Sequence, residues 1–112
     1  MGRKIVNAYI RTAAREDILR QFRYYVVEKQ IPQVAQRFLD EVEAAVDTLC
    51  RAPGIGTPKR LYNLRLAGLK SWPVPGFPSV RIYYIYAGNE LRVVHVLHGK
   101  RDIRQLLEET ND

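Results

Sequence analysis

Val80–Ile103, VRIYYIYAGNELRVVHVLHGKRDI, is the stretch from which the fold is read. Val80 to Tyr86 and Leu91 to Leu97 are both rich in β-branched and aromatic residues. Ala87-Gly88-Asn89-Glu90 separates them. Gly-Asn tolerates the positive φ angles of a two-residue hairpin, so the stretch predicts two antiparallel strands. A turn centred on Gly88-Asn89 pairs Tyr86 with Leu91, Tyr84 with Val93, Ile82 with His95 and Val80 with Leu97. That face is almost wholly apolar and is expected to bury. The opposite face carries Arg81, Tyr83 and Ile85 with Arg92, Val94, Val96 and His98. It is apolar enough to attract a partner and basic enough to prefer an acidic one. Gly99 ends the second strand, and Lys100-Arg101-Asp102 leads into a short helix from Ile103 to about Glu109. Asp102 is its expected cap, and Ile103, Leu106 and Leu107 are expected to dock on the core.

The chain before the hairpin supplies the other layer. Lys4 to Ile10 reads as a first strand. Thr12 is an expected N-cap, with Glu16 and Asp17 in or near the first turn of a helix running to about Lys29. Ala14, Ile18, Phe22, Tyr25 and Val26 fall on one face of it. Pro32 suits the first turn of a second helix. There Ala35, Phe38, Leu39, Val42, Ala45, Val46 and Leu49 recur at three and four residues, and the short connection predicts an antiparallel helical hairpin. Pro53-Gly54 ends it. A loop through Lys59 and Arg60 leads to a strand over Leu64 to Trp72, and Pro73 to Pro78 reads as an irregular turn. The expected class is α+β: an N-terminal strand, a two-helix antiparallel hairpin packed on a largely antiparallel curved sheet, and a short C-terminal helix.

The 112 residues suit one domain spanning 1–112. No apolar run approaches a membrane span. The N-terminal MGRKIVNAYIRTAARED has no apolar signal core, which predicts a cytoplasmic protein. A single Cys50 excludes an internal disulfide and a multi-cysteine metal site. The net charge of +6 is uneven. Lys59 to Arg104 holds nine Lys or Arg against Glu90 and Asp102 alone, so the strand-rich half carries the positive field. That suits nucleic acid, a nucleic-acid machine or an acidic protein, without choosing among them.

The sequence shows no glycine-rich phosphate loop, metal-ligand cluster or nucleophile elbow, and no cofactor is expected. His95, on the apolar side, reads as a satisfied core or rim histidine. By alternation His98 shares the mixed face with Arg81, and with Arg65 from a neighbouring strand. Such a set could cleave RNA, with imidazole moving protons and guanidinium groups holding phosphate. Equally, His98 simply ends the strand beside Gly99. Arg101 either binds an anion or braces the turn as an ion pair with Asp102. Tyr83, Tyr84 and Tyr86 among cations match a base-stacking platform, although tyrosine is also a common strand residue.

These residues also carry a family likeness. Leu69-Lys70-Ser71-Trp72-Pro73-Val74-Pro75-Gly76-Phe77-Pro78, then Arg81-Ile82-Tyr83-Tyr84, then Val94-His95-Val96-Leu97-His98-Gly99-Lys100-Arg101-Asp102-Ile103 with Leu106-Leu107 resembles the C-terminal half of the ParE toxins. These belong to the RelE/ParE superfamily of bacterial toxin–antitoxin modules. Ala13 to Ile18 and Leu49 to Gly56 fit the same family at either end of the helical hairpin. The resemblance implies a plasmid-stabilising type of toxin that poisons DNA gyrase and assembles with a ParD-like antitoxin as a hetero-oligomer. It leaves two alternatives open: an RelE-like ribosome-dependent RNase using Arg65, Arg81 and His98, and a non-toxic antitoxin-binding module. His98 is followed by Gly99, without the His-Tyr or terminal tyrosine of the RelE branch, which favours the ParE branch. Antitoxin contacts are expected at Arg81, Tyr83, Arg92, Val94 and Val96, and in grooves beside the helical hairpin.

Overall fold

Apolar residues spaced at three and four make the first half of the chain helical, and alternating β-branched and aromatic residues make the second half a sheet. The computed structural model describes residues 6–99 and 103–109. The elements run β1 (Asn7–Ile10), α1 (Thr12–Arg23), α2 (Pro32–Arg51), β2 (Thr57–Pro58), β3 (Lys70–Val74), β4 (Phe77–Ala87), β5 (Glu90–His98) and α3 (Ile103–Glu108). The sheet order is β1-β5-β4-β3-β2, with β1 parallel to β5 and every other pairing antiparallel. Lys4 and Ile5 of the expected first strand, and Lys100, Arg101 and Asp102, lie outside the described residues, as does the side chain of Ile103.

The helical hairpin forms as the periodicity predicts, with two local corrections. Thr12 is already helical; Arg11 is the N-cap, without a side-chain cap, and no acid lies in the first turn. After Arg23 the helix widens into a π-turn, Tyr24–Glu28. Its closing bonds run from the Lys29 N–H to the Tyr24 carbonyl and from the Ile31 N–H to the Tyr25 carbonyl. Gln30 reverses the chain in the left-handed region (φ 55°), and Ile31 is held out of the helical region by Pro32. Phe38, Val42, Ala45, Val46 and Leu49 of α2 then bury against Ile82, Tyr84, Leu91, Val93 and Val96 of the sheet.

The hairpin turns at Gly88-Asn89, and Tyr86↔Leu91 and Tyr84↔Val93 pair as expected. Beyond them the register departs from simple alternation. Tyr83 pairs with His95, Ile82 with Val96 and Val80 with His98. One extra residue, Val94, is accommodated as a β-bulge. Because side chains alternate with period two, the bulge reverses the facing of all that follows. Val96 and His98 go to the helical side, and Leu97 goes to the other.

The far side of the sheet is covered too, which the mixed composition of that face did not predict. Tyr83, Ile85, Val94 and Leu97 are buried beneath Leu66, Leu69 and Leu107, flanked by Leu61 and Leu106. The cover is the connection from β2 to β3 together with α3. Leu64–Leu66, expected as the start of a strand, is a 3-10 turn. Asn63 Oδ1 accepts the Arg65 N–H and starts that turn, Gly68 (φ 82°) ends it, and β3 begins only at Lys70. The strand then runs through Pro73 to Val74, with a register shift there and the reversal at Pro75-Gly76.

Two polar contacts fix the layers. β1 ends at Ile10, opposite Val93, and leaves the edge of β5 open. The buried Asp17 carboxylate fills that place: Oδ2 accepts the Val96 N–H at 3.0 Å and lies 2.7 Å from His95 Nδ1, while Oδ1 takes Arg20 at 3.2 Å. A carboxylate accepts only, so His95 Nδ1 carries the proton. On β4, the buried Tyr84 hydroxyl donates to the Pro53 carbonyl (2.7 Å) and accepts the Gly56 N–H (3.0 Å). A β-carbon on Gly56 would lie 2.8 Å from Tyr84 Cε1 and 2.9 Å from Cζ, inside van der Waals contact.

Asp17→Ala removes the acceptor of the buried Val96 N–H and of His95 Nδ1 together, at a cost of about 2–3 kcal/mol. Thermal denaturation followed by circular dichroism is expected to show a melting point lower by roughly 10 °C or more. Gly56→Ala pushes Tyr84 off its two partners and is expected to cost about 2 kcal/mol. Gly54→Ala, with nothing within 4 Å of its added β-carbon, is the control and should melt close to the parent.

Candidate functional site

Cations from three separate elements converge on the far side of the sheet. Lys59 and Arg60 follow β2, Arg81 stands on β4 and Arg104 on α3. With Tyr83, Leu61, Leu107, Pro58 and Gly99 they line a pocket of about 530 Å³. Among the described residues, no carboxylate lines it. The fold places two of these cations, Lys59 and Arg81, by a local constraint. The Lys59 N–H is bonded to the Leu69 carbonyl (2.8 Å), which holds the loop against the sheet. Arg81 Nε donates to Ser71 Oγ (3.1 Å), and Ser71 is itself fully buried, so the guanidinium is oriented from beneath.

Such a pocket is complementary in sign to an anion. Its like charges raise one another's energy until a phosphate or carboxylate enters. Arginine offers forked donors suited to either group. The pocket is poorly equipped to move protons. Burial pushes the Tyr83 phenol up from its ordinary value, only partly offset by the nearby Arg81 charge, so near neutral pH it keeps its proton. Among the described residues, the other side chains with polar groups that line it are cations.

A second concavity, about 550 Å³, lies on the helical side. Gln21, Tyr24, Tyr25, Lys29, Ile31 and His98 line it. The π-turn brings Tyr24 and Tyr25 side by side, with ring centroids 5.6 Å apart, and the Lys29 ammonium sits 5.7 Å from the Tyr24 ring centre.

The three residues grouped from sequence for RNA cleavage are therefore dispersed. Arg81 lines the basic pocket, His98 lines the groove across the sheet, and Arg65 is exposed on the 3-10 turn outside both. The Val94 bulge is the cause, since alternation without it would put His98 beside Arg81. Of the residues expected to meet an antitoxin, Tyr83, Val94 and Val96 are buried within the fold. Arg81 is half-buried at the pocket. Arg92 is 44% exposed at the other end of the same face, paired with Glu90 at 2.7 Å. Lys59, Arg60 and Arg104 were not singled out from sequence, although the adjacent Lys59-Arg60 after a strand break was a visible charge signal.

A chain of the chromosomal ParDE toxin–antitoxin system from P. aeruginosa superposes with a TM-score of 0.67 at 14% identity, over 85% of this chain and 97% of that one. A chain of the RelBE2 toxin–antitoxin complex from Mycobacterium tuberculosis superposes with a TM-score of 0.55 at 24% identity, over 84% of this chain and 91% of that one. At those identities the likeness is one of fold. No curated protein sequence matches the chain. The family model for the ParE toxin of the type II toxin-antitoxin system, parDE, matches residues 9–103, which hold the helical hairpin, the whole of β3, β4 and β5 and nearly all of the basic pocket. On that match, the chain belongs to the ParE toxins of type II toxin–antitoxin systems.

Proposed function

We propose that the chain acts in the cytoplasm as a poison of DNA gyrase, not as a nuclease, and that a cognate ParD-like antitoxin neutralises it. The observation that carries this reading is the placement of Arg81 and His98 on opposite sides of the sheet. RNA cleavage asks for a proton acceptor beside the groups that hold the scissile phosphate. Here the cations that suit a phosphate have a buried, protonated Tyr83 as their neighbour. A pocket that holds a backbone phosphate without cutting it suits a protein that stabilises an enzyme–DNA intermediate.

The antitoxin reading follows the accessible surface. Tyr83, Val94 and Val96 are withdrawn into the core, so on this reading an acidic segment meets the cations Arg81 and Arg92 and enters the groove lined by Tyr24, Lys29 and His98.

Titrating the protein into a supercoiling reaction of purified gyrase and plasmid DNA is expected to accumulate cleaved DNA, and added antitoxin to relieve it. His98→Ala is expected to leave that activity, and growth arrest in cells, within about twofold of the parent, because no interaction made in the reaction is removed. Gyrase that stays indifferent at saturating protein, with growth arrest abolished by His98→Ala, would overturn the reading in favour of RNA cleavage. For the antitoxin, Arg81→Glu combined with Arg92→Glu should weaken binding in calorimetry by roughly tenfold or more. An unchanged affinity would remove that face from the interface.

A further inference from the structure

Two large apolar side chains stand almost fully in solvent: Tyr62 is 91% exposed and Leu64 is 87% exposed. They sit on the connection between β2 and β3, where Leu61, Leu66 and Leu69 turn inward to cover the sheet. The fold therefore uses the other leucines of this loop and leaves these two outside.

The tip that carries them is fixed. The Tyr62 N–H donates to Glu108 Oε1 (2.8 Å). Asn63 Nδ2 donates to the carbonyls of Leu107 and Glu108 (3.3 and 3.2 Å), closing the end of α3. The turn that follows adds Leu66 N–H to Asn63 carbonyl and Ala67 N–H to Leu64 carbonyl. A bonded turn has little backbone freedom left to lose when its side chains bind, which is how a small contact becomes a strong one. Tyrosine beside arginine is the composition enriched at binding hot spots. Arg60, Arg65 and Lys59 lie within three residues of the tip, and Glu108, bonded to the Tyr62 N–H, is the acid against it.

We infer that the Tyr62–Leu64 tip is the knob by which this toxin grips its protein target, entering an apolar cleft with an acidic rim. The shape selects this occupant. Two side chains projecting from a rigid turn need a concavity already formed in a folded partner, whereas an antitoxin segment that orders as it binds needs a groove, and the groove beside the π-turn lies on the other side of the sheet. A second copy is disfavoured by charge, because each carries +6. The inference rests on the chain being a toxin with a protein target and not on gyrase being that target.

The test compares the parent, Tyr62→Ser combined with Leu64→Ser, and Tyr62→Phe, each expressed in cells without antitoxin. Both positions are exposed, so melting points and soluble levels should match. The double variant should need roughly tenfold more protein to arrest growth, since a central hot-spot side chain carries about a factor of ten in affinity. Tyr62→Phe should behave as the parent. The same three proteins are assayed with purified gyrase and plasmid. Lost arrest in cells with gyrase indifferent to the parent supports the knob and sinks gyrase as its target. Equal arrest by parent and double variant overturns the inference, as does a parent that arrests nothing. It is also overturned if the double substitution abolishes antitoxin binding, self-association in light scattering or binding to phosphatidylglycerol vesicles, because each assigns the tip to another occupant.

Discussion

A single carboxylate closes the sheet where its edge strand runs out. β1 pairs with only the first half of β5, and the N–H of Val96 beyond it faces no strand. Left alone that donor would be a buried unsatisfied group and the strand an open edge, two states that folded proteins avoid. Asp17 reaches from α1 to supply the missing acceptor, and the same oxygen takes His95. A buried carboxylate is costly unless its lone pairs are used; this one is held by Val96, His95 and Arg20. The bond therefore does two things. It docks the helical hairpin at one angle on the sheet, and it stabilises the strand where Val94 bulges.

The bulge decides which chemistry each side of the sheet can hold. It moves Val96 into the core beneath the helices, Leu97 into the cluster under α3, and His98 to the groove beside Tyr24. Arg81, on the unbulged strand, stays with Lys59, Arg60 and Arg104. One inserted residue thus separates a proton carrier from the cations that suit a phosphate. A pocket lined by cations and a groove that contains an imidazole end up on opposite sides of a sheet whose middle is filled on both sides.

What could be read from sequence was what is local. Gly88-Asn89 specifies its turn whatever surrounds it, Pro32 fixes the start of α2, and the stripe from Ala35 to Leu49 needs only a surface to pack on. The bulge has no such signal. Val94 is apolar and β-branched like Val93 and Val96, no glycine marks it, and Asp17, which bonds the strand just beyond it, is 78 positions away from His95. A period-two reading passes straight through, and every facing after it inverts. The connection from β2 to β3 misled for a related reason. Leu64 and Leu66 alternate as in a strand, yet Asn63 offers the backbone a competing bond and starts a turn. The basic pocket was legible as charge but not as a place, because Lys59, Arg81 and Arg104 come together only after that turn and α3 fold over the sheet.

The same covering constrains how a partner can approach. A bare sheet face would offer a broad apolar surface, and the mixed composition of Arg81, Tyr83, Ile85 and Val94 suggested one. Here the chain has spent that surface on itself: Leu66, Leu69 and Leu107 occupy it. The margins still offer a groove between the π-turn and the end of β5, a cationic pocket under the β2–β3 connection, and the two apolar side chains on that connection's tip. Grooves and knobs select partners of opposite shape. A segment that folds as it binds can fill the first, and only a preformed cleft can take the second. On the proposed reading, neutralisation therefore draws on the groove and toxicity on the knob, while the cationic pocket, through Arg81, serves both.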